Sequence, residues 1–240
     1  REKEVIEDIK RLLDEILKRL EEANKETEER LEKLRKEYRE LLEDSKRKIK
    51  DIEAELRRLN VPEEKLRLVR ELVKRLEDLN RRLKKALEDI ARRLRDLNRR
   101  VKELIKRLLE ELKEVAESNL DREEVEKVIR DLIRRLEKIL TDLDEVHERL
   151  KKDLEKLLEE YERTVRKLLK DLEEVLKRVD KEAVKEIVKR LKEVIKDNLR
   201  VVEELVRKLK EIIEDNLRVL REIAKLLKDV LEKLLRDVRK

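Results

Sequence analysis

The chain has 240 residues, 56% charged and 38% hydrophobic, with no Gly, Cys, Met, Phe or Trp and a single Pro. Without Cys there is no disulfide and no thiolate metal ligand, and without Gly a sheet built on tight hairpin turns is effectively excluded. Its 70 basic residues nearly balance 64 acidic ones, and the net charge of +6 favours solubility over any particular partner.

Such charge usually accompanies disorder, but disordered chains lack periodic apolar positions, and here the period is strict. In the first segment Leu13, Leu31 and Ile49 recur at one fixed spacing, as do Ile16, Leu34 and Ile52. The second repeats Leu76, Leu94 and Leu112 at that spacing, the third Leu136, Leu154 and Leu172, and the fourth Leu191, Leu209 and Leu227. The spacing equals five α-helical turns, about 18 residues, so the repeat returns each side chain to the same face and asks for no supercoil. The frame breaks three times: Ile52 would map onto Arg70, Leu108 onto Glu126 and Leu168 onto Glu186. Each break marks a helix end.

Taken in order, helices are expected over about 2–59, 62–117, 121–178 and 181–239, each on the order of 85 Å long. At the first turn Asn60 suits the left-handed C′ position, Val61 folds back onto the helix and Pro62 opens the next as N1. At the second, Asn119 takes the C′ role, Leu120 makes the hydrophobic contact, and Asp121 with Glu124 forms a capping box. At the third, Asp180 is the N-cap. Short loops force antiparallel neighbours, so the expected fold is all-α: one single-chain, antiparallel up-down-up-down four-helix bundle spanning 1–240.

The uncharged polar residues away from the turns fall at two depths. DLNRRL at 78–83 and DLNRRV at 96–101 are offset by one repeat, as are DNLRVV at 197–202 and DNLRVL at 215–220. Mirroring the helices about their turns places Asn80 and Asn198 with Tyr38, Ser45, Tyr161 and Thr164. It places Asn98 and Asn216 with Asn24, Thr27, Thr141 and His147, about 27 Å away along the helices. Thr27 and Ser45 align with Ile9, His147 with Ile129 and Val165, and Tyr38 with Leu20 and Leu56, all apolar-frame positions. Thr141 lies off the frame and, with Thr164, belongs at the margin. Burying such groups alone costs a few kcal/mol, so two hydrogen-bond networks are expected, each drawing on all four helices. Their expected purpose is to penalise a helix that slides by a turn or takes the wrong neighbour.

Long straight helices, Asn at fixed layers, Leu/Ile/Val packing and turns such as NVPEE resemble computationally designed helical bundles with buried hydrogen-bond networks. The resemblance covers the whole chain and is one of style. It implies a scaffold, a fused pair of helical hairpins, or a cage-type switch, and no catalytic residue to carry over.

Chemical readings are weaker. Asp144 precedes His147 by three residues, but the acid-x-x-His pairs of di-metal bundles occur twice and with two further Glu, so His147 is read as a hydrogen-bonded core residue. Ser45 and Ser118 have no histidine at their depth, and no glycine-rich loop exists for phosphate. The basic stretch from Arg81 to Arg107 faces Glu21, Glu22, Glu26, Glu28, Glu29, Glu32 and Glu37 on the first helix. Asp142, Asp144, Glu145, Glu148, Asp153 and Glu155 on the third lie at matching depth. Paired flanks account for that pattern better than nucleic acid, and no aromatic residue is there to stack on bases. Asn within the apolar stripe argues against a lipid-facing surface, and no apolar run reaches bilayer-spanning length. Arg1 opens a charged segment without the character of a signal peptide.

The expectation is therefore a soluble, thermostable, monomeric designed scaffold and not an enzyme. No catalytic, cofactor-binding or metal residue, no cofactor, no nucleic-acid or membrane partner and no targeting signal is assigned. The alternative is a helix-pairing module in which hairpins 1–120 and 121–240 form a fused or exchangeable pair, or self-associate.

Overall fold

The computed structural model describes residues 2–240, with side chains from Glu7 onward. Four helices, α1 (Glu2–Arg58), α2 (Glu63–Glu117), α3 (Arg122–Lys177) and α4 (Glu182–Arg239), make up 94% of the chain, with no strand among the described residues. Their contacts are those of a four-helix bundle. The repeat frame is also the buried set: every Leu and Ile named above for the repeats is at most 8% exposed. Burial of those stripes, at about 25 cal/mol per Å² of apolar surface, stabilises the helices. Their charged faces contribute little to it.

Contacts group the chain into two compact units. Unit 1 comprises Arg1–Arg30, Arg92–Lys151 and Glu211–Lys240, and unit 2 comprises Leu31–Ala91 and Lys152–Lys210. Each takes a stretch from all four helices. In unit 1 Leu13, Leu20, Ile105, Leu108, Ile129, Leu136, Leu220 and Leu227 lie in one apolar cluster. Polar contacts there join each helix to the next and close the ring: Lys102–Glu21, Arg135–Glu111, Lys151–Glu214 and Arg30–Asp215. On α3 and α4 the pairs Lys151–Glu214, Asp144–Arg221, Glu137–Lys228 and Glu126–Arg239 run in opposite sequence order, so the two helices are antiparallel. Unit 2 closes the same ring through Tyr38–Asn80, Arg75–Asp171, Lys192–Glu173 and Lys208–Glu37.

All three turns fall at the frame breaks, and their caps match expectation in part. Asn60 is left-handed (φ 49°), its N–H reaches the Arg57 carbonyl (3.3 Å), and Val61 is buried beneath it. Pro62, expected at N1, is instead the N-cap, because its carbonyl accepts from Lys65 and Leu66 (both 3.1 Å). At the second turn Asn119 is not left-handed, since Asn60 alone has positive φ among the described residues. Leu120, expected to fold back as Val61 does, is 41% exposed. Here Ser118 ends α2 by donating its hydroxyl to the Val115 carbonyl (3.0 Å). Asp121 caps α3 as expected, its Oδ1 accepting from the Glu124 N–H (2.9 Å). At the third turn the first bond of α4 runs to the Lys181 carbonyl (3.1 Å), which puts Asp180 one residue outside the cap.

Candidate functional site

The chemistry of interest lies in the polar side chains that the apolar frame carries into the core. Thr27, Ser45, Asn80, Asn98, His147, Asn198 and Asn216 are all buried, as are Tyr38 and Tyr161. An amide or hydroxyl in such a place must find partners or destabilise the fold.

In unit 1 the centre is Asn216 on α4. Its Nδ2 donates to Asn98 Oδ1 on α2 (2.9 Å), and its Oδ1 accepts from Asn98 Nδ2 (2.9 Å), a reciprocal amide pair. The same Oδ1 accepts from Thr27 Oγ1 on α1 (3.2 Å), and the same Nδ2 lies 3.2 Å from His147 Nε2 on α3. The other ring nitrogen, Nδ1, is 2.7 Å from the Leu143 carbonyl oxygen one turn back. One hydrogen-bonded cluster thus touches all four helices, as the sequence leads one to expect. Asn24, expected in this layer, is half-buried and outside the cluster, with an Oδ1 that finds no donor. Thr141 is exposed and bonds its own helix at the Glu137 carbonyl (3.1 Å).

Unit 2 departs from the expected single network. Asn80 on α2 is the acceptor for both tyrosines: its Oδ1 takes the Tyr161 hydroxyl of α3 (2.7 Å) and its backbone carbonyl the Tyr38 hydroxyl of α1 (2.5 Å). Apart from these, Ser45 Oγ of α1 donates to Asn198 Oδ1 of α4 (2.6 Å). Asn198 Nδ2 is buried without an acceptor. Thr164 turns to the Glu160 carbonyl of its own helix (2.8 Å), at the margin as expected. Neither the Asn80 nor the Leu143 carbonyl was legible as a partner, because a main-chain acceptor carries no residue-type signal.

Burial sets the protonation of this chemistry. It pushes the Tyr38 and Tyr161 phenols well above their ordinary range, with the charges of Tyr161 and Glu88 adding to the shift at Tyr38. Burial likewise holds the His147 imidazole below its usual value, helped by the charge of Lys151 and opposed by the Leu143 bond and Asp144. The neutral ring, protonated on Nδ1 and accepting at Nε2, fits both of its contacts. Asp144 faces Arg221 of α4 (3.3 Å), and no group of three or more His, Asp or Glu that could hold a metal ion occurs among the described residues.

The basic stretch of α2 is met in part by the acids expected to face it. Arg95 bonds Glu28 (2.7 Å) and Lys102 pairs with Glu21 (3.5 Å), both on α1. Asp144 and Glu155 of α3, however, pair with Arg221 and Lys210 of α4 and not with α2. No helix among the described residues is long and apolar enough to cross a membrane. No protein-family model, curated protein or solved structure matches this chain.

Proposed function

We propose that the chain is a structural scaffold, a designed and thermostable monomeric bundle without natural biochemical activity, in which two buried polar layers set which helix faces which and at what depth. The observation that carries this reading is the closed set of bonds about Asn216. Each helix contributes one member, so a helix displaced by one turn, about 5.4 Å, would set an amide against leucine. Within unit 1, Asn216 and His147 use their side-chain polar atoms inside the core. The proposal gives no role to a cofactor, metal, nucleic acid or membrane.

The test is to make both layers apolar together: Asn80, Asn98, Asn198 and Asn216 to Leu, with Tyr38, Tyr161, His147, Thr27 and Ser45 also made apolar so that no partner is stranded. The denaturant midpoint should hold or rise, since apolar burial contributes about 25 cal/mol per Å². Uniqueness should fall, read as mixed oligomers and poor spectral dispersion. A single, monomeric, well-dispersed state would sink the proposal and leave turn lengths and flank charges to fix the fold.

A second reading, a pair of hairpins at 1–120 and 121–240 (joined here, or exchangeable as in a cage-type switch), is favoured by where the buried bonds run. Thr27–Asn216, Asn98–Asn216, Ser45–Asn198 and Tyr161–Asn80 each join one half to the other. Made separately and mixed, the halves should form a 1:1 complex by mass. If each half preferred its own copies, the pairing-module reading would be lost.

A further inference from the structure

The hydrogen-bond directions in unit 1 leave no freedom around His147. The Leu143 carbonyl can only accept, so Nδ1 carries the proton of the neutral ring and Nε2 must accept from Asn216. That orients the Asn216 amide, whose two N–H groups go to His147 and Asn98 and whose Oδ1 receives Asn98 and Thr27. A second proton on the ring has one place to go, Nε2, where it meets an N–H of Asn216 head-on.

Repair needs more than a rotation of one group. Turning Asn216 over offers Oδ1 to the charged ring but brings Nδ2 against Asn98 Nδ2, so Asn98 must turn as well. Thr27 must then accept where it donated, and its hydroxyl hydrogen must turn to its own helix, as those of Thr141 and Thr164 do. The charged groups flanking the layer are already engaged. On α3 Asp144 faces Arg221 of α4 (3.3 Å), and Lys151 pairs with Glu214 of α4 (3.4 Å). Asp215, next to Asn216, is held by Arg30 of α1 (2.8 Å) and Arg218 (2.7 Å). Glu28 of α1 is held by Arg95 of α2 (2.7 Å), and Asp96 of α2 by Arg99. An imidazolium at 147 therefore sits fully buried with donor facing donor, and although Asp144 keeps a buried Oδ1 without a hydrogen bond, its charge does not offset the burial.

We propose that His147 is a proton-responsive switch: charging it opens the polar layer of unit 1 and detaches α3 from the Thr27–Asn98–Asn216 cluster. The direction of the response follows from linkage. Burial lowers the folded-state pKa of His147, so above about pH 6.5 the ring is neutral whether the chain is folded or not. As pH falls through that value the unfolded chain takes up the proton first. Stability is then lost progressively down to the lowered folded-state pKa.

The experiment titrates the full chain beside His147→Val, which puts at 147 the residue type that the repeat already carries at Val165. Below about pH 6.5 the unfolding equilibrium constant of the parent should rise over that of the variant by up to about tenfold per pH unit. In NMR, the Asn98 and Asn216 side-chain amides should shift or broaden together with the His147 ring signals, while those of Asn80 and Asn198 stay still. Parallel stability profiles would overturn the proposal. So would Asn98 and Asn216 amides that do not move as the ring titrates, and that measurement decides alone if the variant does not fold.

Discussion

The two polar layers are drawn on one template and finished differently. A shift of one repeat maps Thr27 onto Ser45, Asn98 onto Asn80, Asn216 onto Asn198 and His147 onto Val165. The hydroxyl-to-Oδ1 bond survives the shift, at 3.2 Å from Thr27 and 2.6 Å from Ser45. The rest does not. Asn216 Nδ2 has the imidazole and Asn98 as acceptors, whereas Asn198 Nδ2 has Val165 where the imidazole stood and finds no acceptor. Asn80 Oδ1, the counterpart of the atom that receives Asn216, is taken by Tyr161, whose own counterpart is Leu143. Equal amides one repeat apart therefore do not make equal networks, since the layers differ at His147 against Val165 and Tyr161 against Leu143 on α3 and at Tyr38 against Leu20 on α1. The inequality also has a use under the proposed function. Identical layers would let a helix slip by a whole repeat with Asn still facing Asn, and Tyr161 against Leu143 makes that slip unfavourable.

The sharpest way to break the comparison is one substitution at matched positions. Asn216→Leu removes the hub of unit 1 and strands polar groups of Thr27, Asn98 and His147. At about 1–3 kcal/mol per stranded buried group, and with partial relaxation, a loss of roughly 3–5 kcal/mol is expected. Asn198→Leu strands only the Ser45 hydroxyl and also removes an unpartnered donor, so its cost should stay within about 1 kcal/mol. Denaturant midpoints at neutral pH measure both. Equal losses would mean that the layers are energetically alike despite their different bonding.

Exchanging the α3 residues sharpens the comparison. His147→Val should leave one Asn216 N–H without an acceptor while Asn98 still receives the other, and cost about 1–3 kcal/mol. Val165→His should offer Asn198 Nδ2 the acceptor it lacks, with a gain of at most about 1 kcal/mol because the larger ring must also fit. Solvent exchange of the two Asn side-chain amides reads this directly: slower at Asn198 in the Val165→His variant, faster at Asn216 in the His147→Val variant. No change in exchange would show that the α3 residue is not the deciding partner.

What was legible beforehand follows from which signals a sequence carries. The four helices and the depth of each polar residue rest on a period repeated many times, so Leu76, Leu94 and Leu112 correct one another and all are buried. The depth of Asn198 came from the same arithmetic. It also places Ser45 in that layer but does not say which member bonds which, because whether an amide meets a hydroxyl, a phenol or a main-chain carbonyl depends on Å-scale placement across helices that no period encodes. The cap expectations hold at Asn60, Val61 and Asp121 and fail at Pro62, Asn119, Leu120 and Asp180 for a related reason. Asn60 and Asn119 read alike by residue type, yet only Asn60 has the left-handed backbone.

That last difference gives the smallest predicted effect, and it again sets unit 2 against unit 1. At Asn60 (φ 49°) the side chain tolerates a conformation that costs an ordinary L-residue about 1–2 kcal/mol. Asn60→Ala should therefore cost about 1 kcal/mol, and Asn60→Gly should be neutral or slightly stabilising, since Gly relieves the strain but raises unfolded-state entropy. At Asn119, with φ outside that region, the same Ala change should stay within about 0.5 kcal/mol. Gly there should be no better than Ala, since it adds unfolded-state entropy with no strain to relieve. The Ser118 bond to Val115, which ends α2, survives either change at 119. Paired denaturation curves for the four variants decide it. If Asn119→Gly stabilised as much as Asn60→Gly, the second turn would be left-handed in solution, and the exposed Leu120 would then be expected to fold back as Val61 does.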